Sequence, residues 1–204
     1  MRKILGVIFD MDGVLADSEP THARAWRDTV ERGYGKRFPE EIMHTAIGTP
    51  DRIFAAKLKK ACGIKAPLED FVQEKKRRFF SMVRTGRLMP RPGAIRLVEA
   101  LAGLGLPLAV ASGSGRAEVG TSLAVMGLRF RMRFFLAHED VAHHKPHPQV
   151  YLEAARRLRL PASSCLVLED SPTGLRSAWQ AGCLCIAVGG SYPPADLRPR
   201  HSFV

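Results

Sequence analysis

The sequence predicts an α/β fold in which a doubly wound parallel sheet forms the core and a helical domain is inserted after the first strand. Two observations favour this fold. Short apolar runs rich in branched residues recur along the chain and alternate with longer segments of helical periodicity, as they do in consecutive βαβ units. The alternation is interrupted once, between residues 16 and 88, where the pattern is amphipathic and charged without a convincing strand.

The first strand is predicted at residues 3–9, where a short apolar run stops at Asp10, Asp12 and Gly13. A run of this kind is typical of a buried strand that leads into a functional loop. Four further strands are predicted at residues 106–111, 134–137, 165–168 and 183–188. Helical patterns lie between the strands at residues 92–104, 116–126, 148–158 and 172–181.

The interruption defines the predicted domain organisation. We expect a core made of residues 1–15 and 89–204, and an inserted helical domain made of residues 16–88. The sequence Met-Pro-Arg-Pro-Gly at residues 89–93 marks the return to the core, because two prolines and a glycine break any continuing helix.

The composition limits the classes of protein that remain. A chain of 204 residues with 46% hydrophobic residues can bury one sizeable core. The formal net charge of +11 is compatible with nucleic-acid binding or with anionic small substrates. The basic residues are scattered and no nucleic-acid motif is present, so we expect a small-molecule ligand and no nucleic acid.

No apolar run in the sequence reaches the length of a signal peptide core or a membrane span. We therefore expect a cytoplasmic protein without membrane contact, and a monomer. The four cysteines lack the spacing of a metal knuckle or of a disulfide framework, and we expect them to be reduced.

Polar residues end several of the predicted strands. In an open parallel sheet these ends share one edge, where ligands bind. The residues concerned are Asp10 and Asp12, Ser112 and Gly113, Lys145 in the loop after residue 137, and Glu169 and Asp170. Carboxylates gathered at one place repel one another unless a hard cation neutralises them, so Mg²⁺ is the expected cofactor. A carboxylate beside such an ion could attack phosphorus, and a second one two residues on could protonate the leaving oxygen.

Four segments in this order, FDMDGVLADSEP, VASGS, HKPHPQVY and LEDSPTG, resemble the four motifs of the haloacid dehalogenase superfamily. More narrowly, the chain resembles the β-phosphoglucomutase-like phosphatase branch, which carries a helical cap after the first motif. The resemblance spans nearly the whole chain. It implies a Rossmann-like core, and it makes residues 16–88 the cap domain.

The resemblance assigns Asp10 as the nucleophile and a magnesium ligand. Asp12 would be the general acid and base, with its backbone carbonyl also on the metal. The dehalogenases that gave the superfamily its name lack an acid at the position of Asp12, so dehalogenation is disfavoured. The expected product of the first step is an aspartyl phosphate on Asp10.

The remaining core motifs supply phosphate and metal contacts in this resemblance. Ser112 and the backbone amide of Gly113 would bind the phosphoryl group, and Lys145 would pair with the phosphoryl oxygens and with Asp10. Asp170 would complete the metal ligands of the protein, with Glu169 in or next to the coordination shell.

Within the cap, His22 and Trp26 lie four residues apart on a predicted helix and share one face. The resemblance gives His22 a place near the nucleophile, where it would couple cap closure to the acid and base, whereas Trp26 is expected to pack inside the cap. A loop beginning at Gly48 matches the substrate-specificity loop, and Arg52 could reach a distal phosphate or a sugar hydroxyl. Alignment from Gly48 places Asp51, and not Arg52, at the position where the mutases carry an arginine.

A second basic segment of the cap, EKKRRFF, contains Lys75 and Lys76. Either lysine could face the active site, but a solvated basic helix face is the favoured interpretation.

The expected function is a magnesium-dependent phosphomonoester hydrolase that acts on a small phosphorylated metabolite, a sugar phosphate or a similar polyol phosphate. The alternative enzyme is a β-phosphoglucomutase, which shares every core residue but returns the phosphoryl group to a second sugar hydroxyl. An alternative of another class is a basic nucleic-acid-binding protein on a catalytically idle scaffold. The retained carboxylates and Lys145 argue against it, since a pure binder has no need of them.

Overall fold

The computed structural model describes residues 3–46 and 49–197. The chain divides into two compact units: the larger contains the residues up to Asp17 and those from Met89 onward, and the smaller contains Ser18–Leu88. The strands are β1 (Gly6–Phe9), β2 (Ala16–Asp17), β3 (Met89–Pro90), β4 (Leu108–Ala111), β5 (Phe134–Leu136), β6 (Cys165–Glu169) and β7 (Leu184–Ala187). The α-helices are α1 (Glu19–Asp28), α2 (Asp51–Cys62), α3 (Leu68–Arg84), α4 (Ala94–Gly103), α5 (Arg116–Val125), α6 (Gln149–Leu158) and α7 (Pro172–Gln180).

The larger unit is built on a parallel sheet of five strands in the order β5-β4-β1-β6-β7. All five predicted strands are present, and the doubly wound α/β fold is confirmed. The chain moves outward from β1 to β4 and β5, and then returns to the other side of β1 with β6 and β7. The direction reverses beside β1, which is where an open α/β sheet binds its ligands.

The central strands are buried on both faces. Every residue of β1 and of β4 is buried, which explains why their sequences are continuous apolar runs and do not alternate with polar residues. The edge strand β7 is more open, and Ile186 on it is exposed. Two short strands that the sequence did not predict, β2 and β3, pair antiparallel where the chain leaves the larger unit and returns to it.

The smaller unit is helical, and its apolar cluster is formed by α1, α2, α3 and the segments that connect them. Trp26 is buried in this cluster, with Phe54 and Phe71 against its ring at centroid distances of 5.4 and 5.7 Å. The prediction that Trp26 packs inside this unit is therefore confirmed. Aromatic pairs at such distances stabilise beyond the area that they bury.

Across residues 3–46 and 49–197, no helix has the length and apolar character that a membrane crossing requires. All four cysteines are free thiols.

Candidate active site

The carboxyl ends of the three central strands bring polar side chains together. Asp10 follows β1, Ser112 follows β4, and Glu169 ends β6 with Asp170 immediately after it. Backbone hydrogen bonds extend the sheet into this region, because the Asp10 amide donates to the Leu168 carbonyl at 3.0 Å. The three carboxylates are therefore held on the rigid end of the sheet.

Lys145 is the centre of this arrangement. Its Nζ donates to Asp10 Oδ1 and to Glu169 Oε1, each at 2.6 Å, and to the Ala111 carbonyl at 3.1 Å. Burial lowers the pKa of Lys145, but the negative charges and hydrogen bonds of Asp10 and Glu169 outweigh burial and raise this pKa above its ordinary value. Lys145 is consequently a permanent cation that orients the Asp10 carboxylate.

One oxygen each from Asp10, Glu169 and Asp170 lies within 4.8 Å of the others. The exposed fractions of these residues are only 7%, 0% and 6%. Burial is the main cause that raises the pKa of Asp10 well above its ordinary value, and burial likewise raises the pKa of Asp170 to about 6. Three carboxylates face one ammonium group, so the cluster has an excess of negative potential that a cation would relieve.

The atoms of this cluster that could bind a metal ion are all carboxylate oxygens. Hard divalent cations prefer oxygen ligands, whereas softer metals prefer sulfur. The residues present therefore fit a metal site of the Mg²⁺ type. The loop after β1 lies directly against the Asp170 carboxylate, because a Cβ at Gly13 would overlap that carboxylate and Ser191 Oγ. The φ of Gly13 is 73°. Only glycine provides both the backbone conformation and the space.

Asp12 lies in the same loop but has a different partner. Ser114 Oγ donates to Asp12 Oδ2 at 2.7 Å, and the Ser114 amide donates to Ser112 Oγ at 3.0 Å. This pair of hydrogen bonds connects the loops after β1 and β4. Gly113 lies between the two serines and is exposed, with no atom within 4 Å of the position that a Cβ would occupy, so space remains beside its backbone.

Glu169 is enclosed by hydrogen-bond donors. In addition to Lys145, the Tyr151 hydroxyl donates to Oε1 at 2.7 Å, and the amide and hydroxyl of Ser171 donate to Oε2, each at 3.0 Å. Burial raises the pKa of Glu169, but the charge of Lys145 and these hydrogen bonds outweigh burial, so the pKa is lowered and the residue is a carboxylate.

Ser114, Tyr151 and Ser171 were not assigned any role from the sequence. All three lie inside the segments that carry the resemblance, since they belong to VASGS, HKPHPQVY and LEDSPTG. Their position in these segments is therefore the one sequence signal that could have identified them. The hydrogen-bond partner of each side chain is seen only in the folded structure.

In the smaller unit, His22 belongs to a polar cluster around the buried Lys75. Lys75 Nζ contacts His22 Nδ1 at 2.9 Å and both carboxylate oxygens of Asp51 at 2.8 Å. The His22 ring stacks on Phe79 with a centroid distance of 4.2 Å. Lys75 is only 1% exposed, so the interpretation of its helix face as solvated was wrong at this position.

Arg52 is directed elsewhere. Its Nη1 lies 3.5 Å from Glu69 Oε2, and its side chain is 73% exposed. The structure therefore joins His22 to Lys75 and Asp51, and it does not join Arg52 to them. Gly48, where the predicted specificity loop begins, lies outside the described residues.

Comparison with known proteins places the chain among enzymes. A family model described as haloacid dehalogenase-like hydrolase matches residues 7–188. The phosphorylated carbohydrates phosphatase of Thermotoga maritima is 34% identical over 179 residues, which cover 86% of this chain and 81% of that protein. The fructose-1-phosphate phosphatase YqaB of Escherichia coli is 33% identical over 187 residues, which cover 92% of this chain and 97% of that protein.

Solved structures agree with the sequence comparison. The crystal structure of CbbY from Rhodobacter sphaeroides in complex with phosphate superposes with a TM-score of 0.80 at 30% identity, covering 92% of this chain and 87% of that one. The family match, the relatives and the parallel sheet agree, and the chain belongs to the haloacid dehalogenase-like hydrolases, in their β-phosphoglucomutase-like phosphatase branch.

Proposed function

We propose that this hydrolase removes the phosphoryl group from small phosphorylated sugars or polyols with the help of Mg²⁺. The observation that carries the proposal is the position of Asp10. Its carboxylate is held by Lys145 at 2.6 Å, and the oxygen cluster that it forms with Glu169 and Asp170 spans no more than 4.8 Å. A nucleophile, a fixed cation and a metal-type ligand set thus lie together at the carboxyl edge of the sheet.

The substrate class is supported by the relatives. Two of them are named for phosphorylated carbohydrates and for fructose 1-phosphate, and one CbbY structure contains xylulose-(1,5)bisphosphate. The formal net charge of +11 favours the approach of anionic substrates. For this chain we therefore propose a sugar phosphate.

In the proposed first step, an Asp10 carboxylate oxygen attacks phosphorus and the bond from phosphorus to the ester oxygen breaks. Lys145 holds Oδ1, which leaves Oδ2 as the attacking atom. Asp12, oriented by Ser114 Oγ at 2.7 Å, donates a proton to the leaving oxygen. The product is an aspartyl phosphate and a free sugar hydroxyl.

In the second step, Asp12 takes a proton from a water molecule that attacks phosphorus, and the bond between Asp10 and phosphorus breaks. Inorganic phosphate leaves, and Asp10 is regenerated. Ser112 Oγ, the Gly113 amide and Lys145 are proposed to bind the phosphoryl oxygens and to balance their charge during both steps.

The proposed Mg²⁺ ligands are the carboxylates of Asp10 and Asp170 and the backbone carbonyl of Asp12, with Glu169 in or next to the coordination shell. When bound, the ion would neutralise charge on the transferring phosphoryl group. That His22 and Arg52 of the smaller unit contact the substrate remains a prediction. Lys75 joins His22 as a candidate because of their direct contact.

The test is phosphate release from a panel of sugar and polyol phosphates, with and without Mg²⁺. We expect hydrolysis of at least one sugar phosphate, and we expect Asp10→Asn to lower kcat by roughly 10,000-fold because the nucleophile is lost. Asp70→Asn is the matched control, since Asp70 is an exposed aspartate on α3. Wild-type turnover by Asp10→Asn would contradict the mechanism.

The mutase alternative is tested separately with β-glucose 1-phosphate and a coupled assay for glucose 6-phosphate. Efficient isomerisation with little free phosphate would replace hydrolysis by phosphoryl transfer between sugar hydroxyls. Salt-dependent binding of DNA or RNA without any turnover on the panel would instead favour the nucleic-acid-binding alternative.

A further inference from the structure

Tyr151 lies in the first turn of α6, six residues after Lys145, and its side chain is completely buried. Its ring packs in an apolar core cluster that also contains Ile8 and Val167 of the sheet. The same ring lies 5.0 Å from Lys145 Nζ, measured to the ring centroid. Its hydroxyl donates to Glu169 Oε1 at 2.7 Å. The residue therefore contacts both members of the ion pair between Lys145 and Glu169.

The hydroxyl is the feature that packing does not explain. A phenylalanine would fill the same volume in this core, and a buried hydroxyl is costly unless it is hydrogen-bonded. The Tyr151 hydroxyl carries one proton, and the carboxylate oxygen of Glu169 at 2.7 Å is its acceptor.

The carboxylate of Glu169 has no remaining acceptor capacity. An ionised carboxylate offers about four lone-pair sites. Oε1 accepts from Lys145 and Tyr151, and Oε2 accepts from the amide and the hydroxyl of Ser171. The backbone of α7 closes the remaining side, because a Cβ at Gly174 would overlap this carboxyl group.

We propose that Tyr151 is a positioning residue that acts through Glu169 to hold the Lys145 ammonium beside Asp10, and that Glu169 serves as the anchor of Lys145 and not as a direct metal ligand. A metal ion could reach Glu169 only by displacing one of its four donors. Asp10 and Asp170 then supply the carboxylates of the metal site. The inference rests on the proposed function, because it gives Tyr151 a role in that same site.

The test is Tyr151→Phe, which keeps the ring and removes the hydroxyl. We expect kcat to fall about 10-fold or more, which is the usual scale for loss of a supporting hydrogen bond, and inhibition by inorganic phosphate to weaken, because Lys145 is less well placed. The Kd for Mg²⁺, measured by titration calorimetry, should stay at the wild-type value, since the proposed ligands Asp10 and Asp170 are unchanged. Tyr34→Phe is the matched control, because Tyr34 packs on Phe71 in the smaller unit.

Three results would overturn the inference. Unchanged kcat and phosphate inhibition in Tyr151→Phe would remove the positioning role. A loss of Mg²⁺ affinity as large as the loss of kcat would make Tyr151 a support for a metal-ligating Glu169. A fall in activity matched by a fall in the folded fraction, followed by thermal unfolding, would make the role structural. Failure of the proposed function is distinguishable, because wild-type protein would then release no phosphate from any sugar phosphate.

Discussion

At the scale of single residues, the active site depends on the balance between three buried carboxylates and one ammonium group. Lys145 pairs with Asp10 and Glu169, whereas Asp170 has the Ser191 side chain as a hydrogen-bond partner and remains strongly desolvated. One ammonium group cannot balance three carboxylates, so the cluster has surplus negative charge. This is the charge that a divalent cation would neutralise.

Asp170 makes metal binding dependent on pH. In the metal-free protein the pKa of Asp170 is raised to about 6, mainly by burial, and a carboxylate must be deprotonated to bind a metal ion. We therefore expect the apparent Mg²⁺ affinity to fall as the pH decreases through 6, because Asp170 becomes protonated there. Titration calorimetry at pH 5, 6 and 7 measures this, and affinity that does not change with pH would contradict the assignment.

The raised pKa of Asp170 also affects the stability of the metal-free protein. Metal binding is favoured at high pH, whereas this contribution to folding stability is favoured at low pH. A raised pKa means that the folded state retains its proton more tightly than the unfolded chain. The contribution of Asp170 to stability is thus fully present below the ordinary aspartate pKa, and it is lost as the pH rises through about 6. Asp170→Asn removes the part of both pH dependences that comes from Asp170 and serves as the control, whereas the raised pKa of Asp10 remains.

At the scale of elements, α7 is connected to the active site by its first residues. Ser171 caps the helix by accepting a hydrogen bond from the Gly174 amide at 3.0 Å, and Pro172 occupies the first turn, where its missing N–H costs nothing. The same hydroxyl donates to Glu169. One serine therefore stabilises the helix terminus and the anchor of Lys145.

We expect Ser171→Ala to lower the free energy of unfolding by about 1 kcal/mol, the usual cost of a lost N-cap. Because Glu169 also loses a donor, kcat should fall as well. Urea unfolding and steady-state kinetics measure the two effects. Ser163→Ala is the control, since Ser163 is exposed, and equal stability of the two variants would contradict the capping role.

In the smaller unit, α1, α2 and α3 are connected by a buried charge. Lys75 on α3 pairs with Asp51 at the start of α2 and contacts His22 on α1. The cationic head also lies 5.2 Å from the Trp26 ring centroid and 5.5 Å from that of Phe79, an arrangement that stabilises a desolvated cation.

Lys75→Met should therefore destabilise this unit although it keeps the apolar stem. Removing one partner of a fully buried ion pair costs about 3–5 kcal/mol, but Asp51 is 32% exposed and would be partly rehydrated, so we expect about 1–2 kcal/mol. Urea unfolding measures the change. Lys76→Met is the matched control, and if both variants unfolded alike, the ion pair would not contribute to stability.

At the scale of the whole molecule, the proposed metal links activity to stability. The carboxylates come from the ends of β1 and β6, which pair directly in the sheet, so an ion bound to them connects two central strands of the larger unit. A ligand that binds only the folded state stabilises it by about 2.7 kcal/mol at 100 times its Kd.

We accordingly expect saturating Mg²⁺ to raise the Tm of the larger unit by roughly 5–10 °C, given the usual sensitivity of a domain of this size. A chelator should reverse the shift. Differential scanning calorimetry measures the effect, and Asp170→Asn, which removes a proposed ligand, should abolish most of it. A Tm unaffected by Mg²⁺ would contradict binding at the buried cluster.

The local pattern of the sequence was sufficient to predict the sheet and the polar residues that meet at its carboxyl edge. Strands buried on both faces need continuous apolar runs, and the polar residues that end them share one edge by the geometry of parallel strands. The sequence pattern alone therefore places Asp10, Ser112, Glu169 and Asp170 at one edge of the sheet. The strand boundaries were less accurate: the strand predicted at residues 3–9 begins at Gly6.

Only the tertiary structure decided the partners of the charged and polar side chains. Lys75 is buried because Asp51 and His22, 24 and 53 residues away in sequence, lie against it, although its own segment has the composition of a solvated surface. The Tyr151 hydroxyl and the Asp12 carboxylate find their partners 18 and 102 residues away. Periodicity reports which face of an element is buried, but the energy of a buried charge depends on neighbours that only the fold brings into contact.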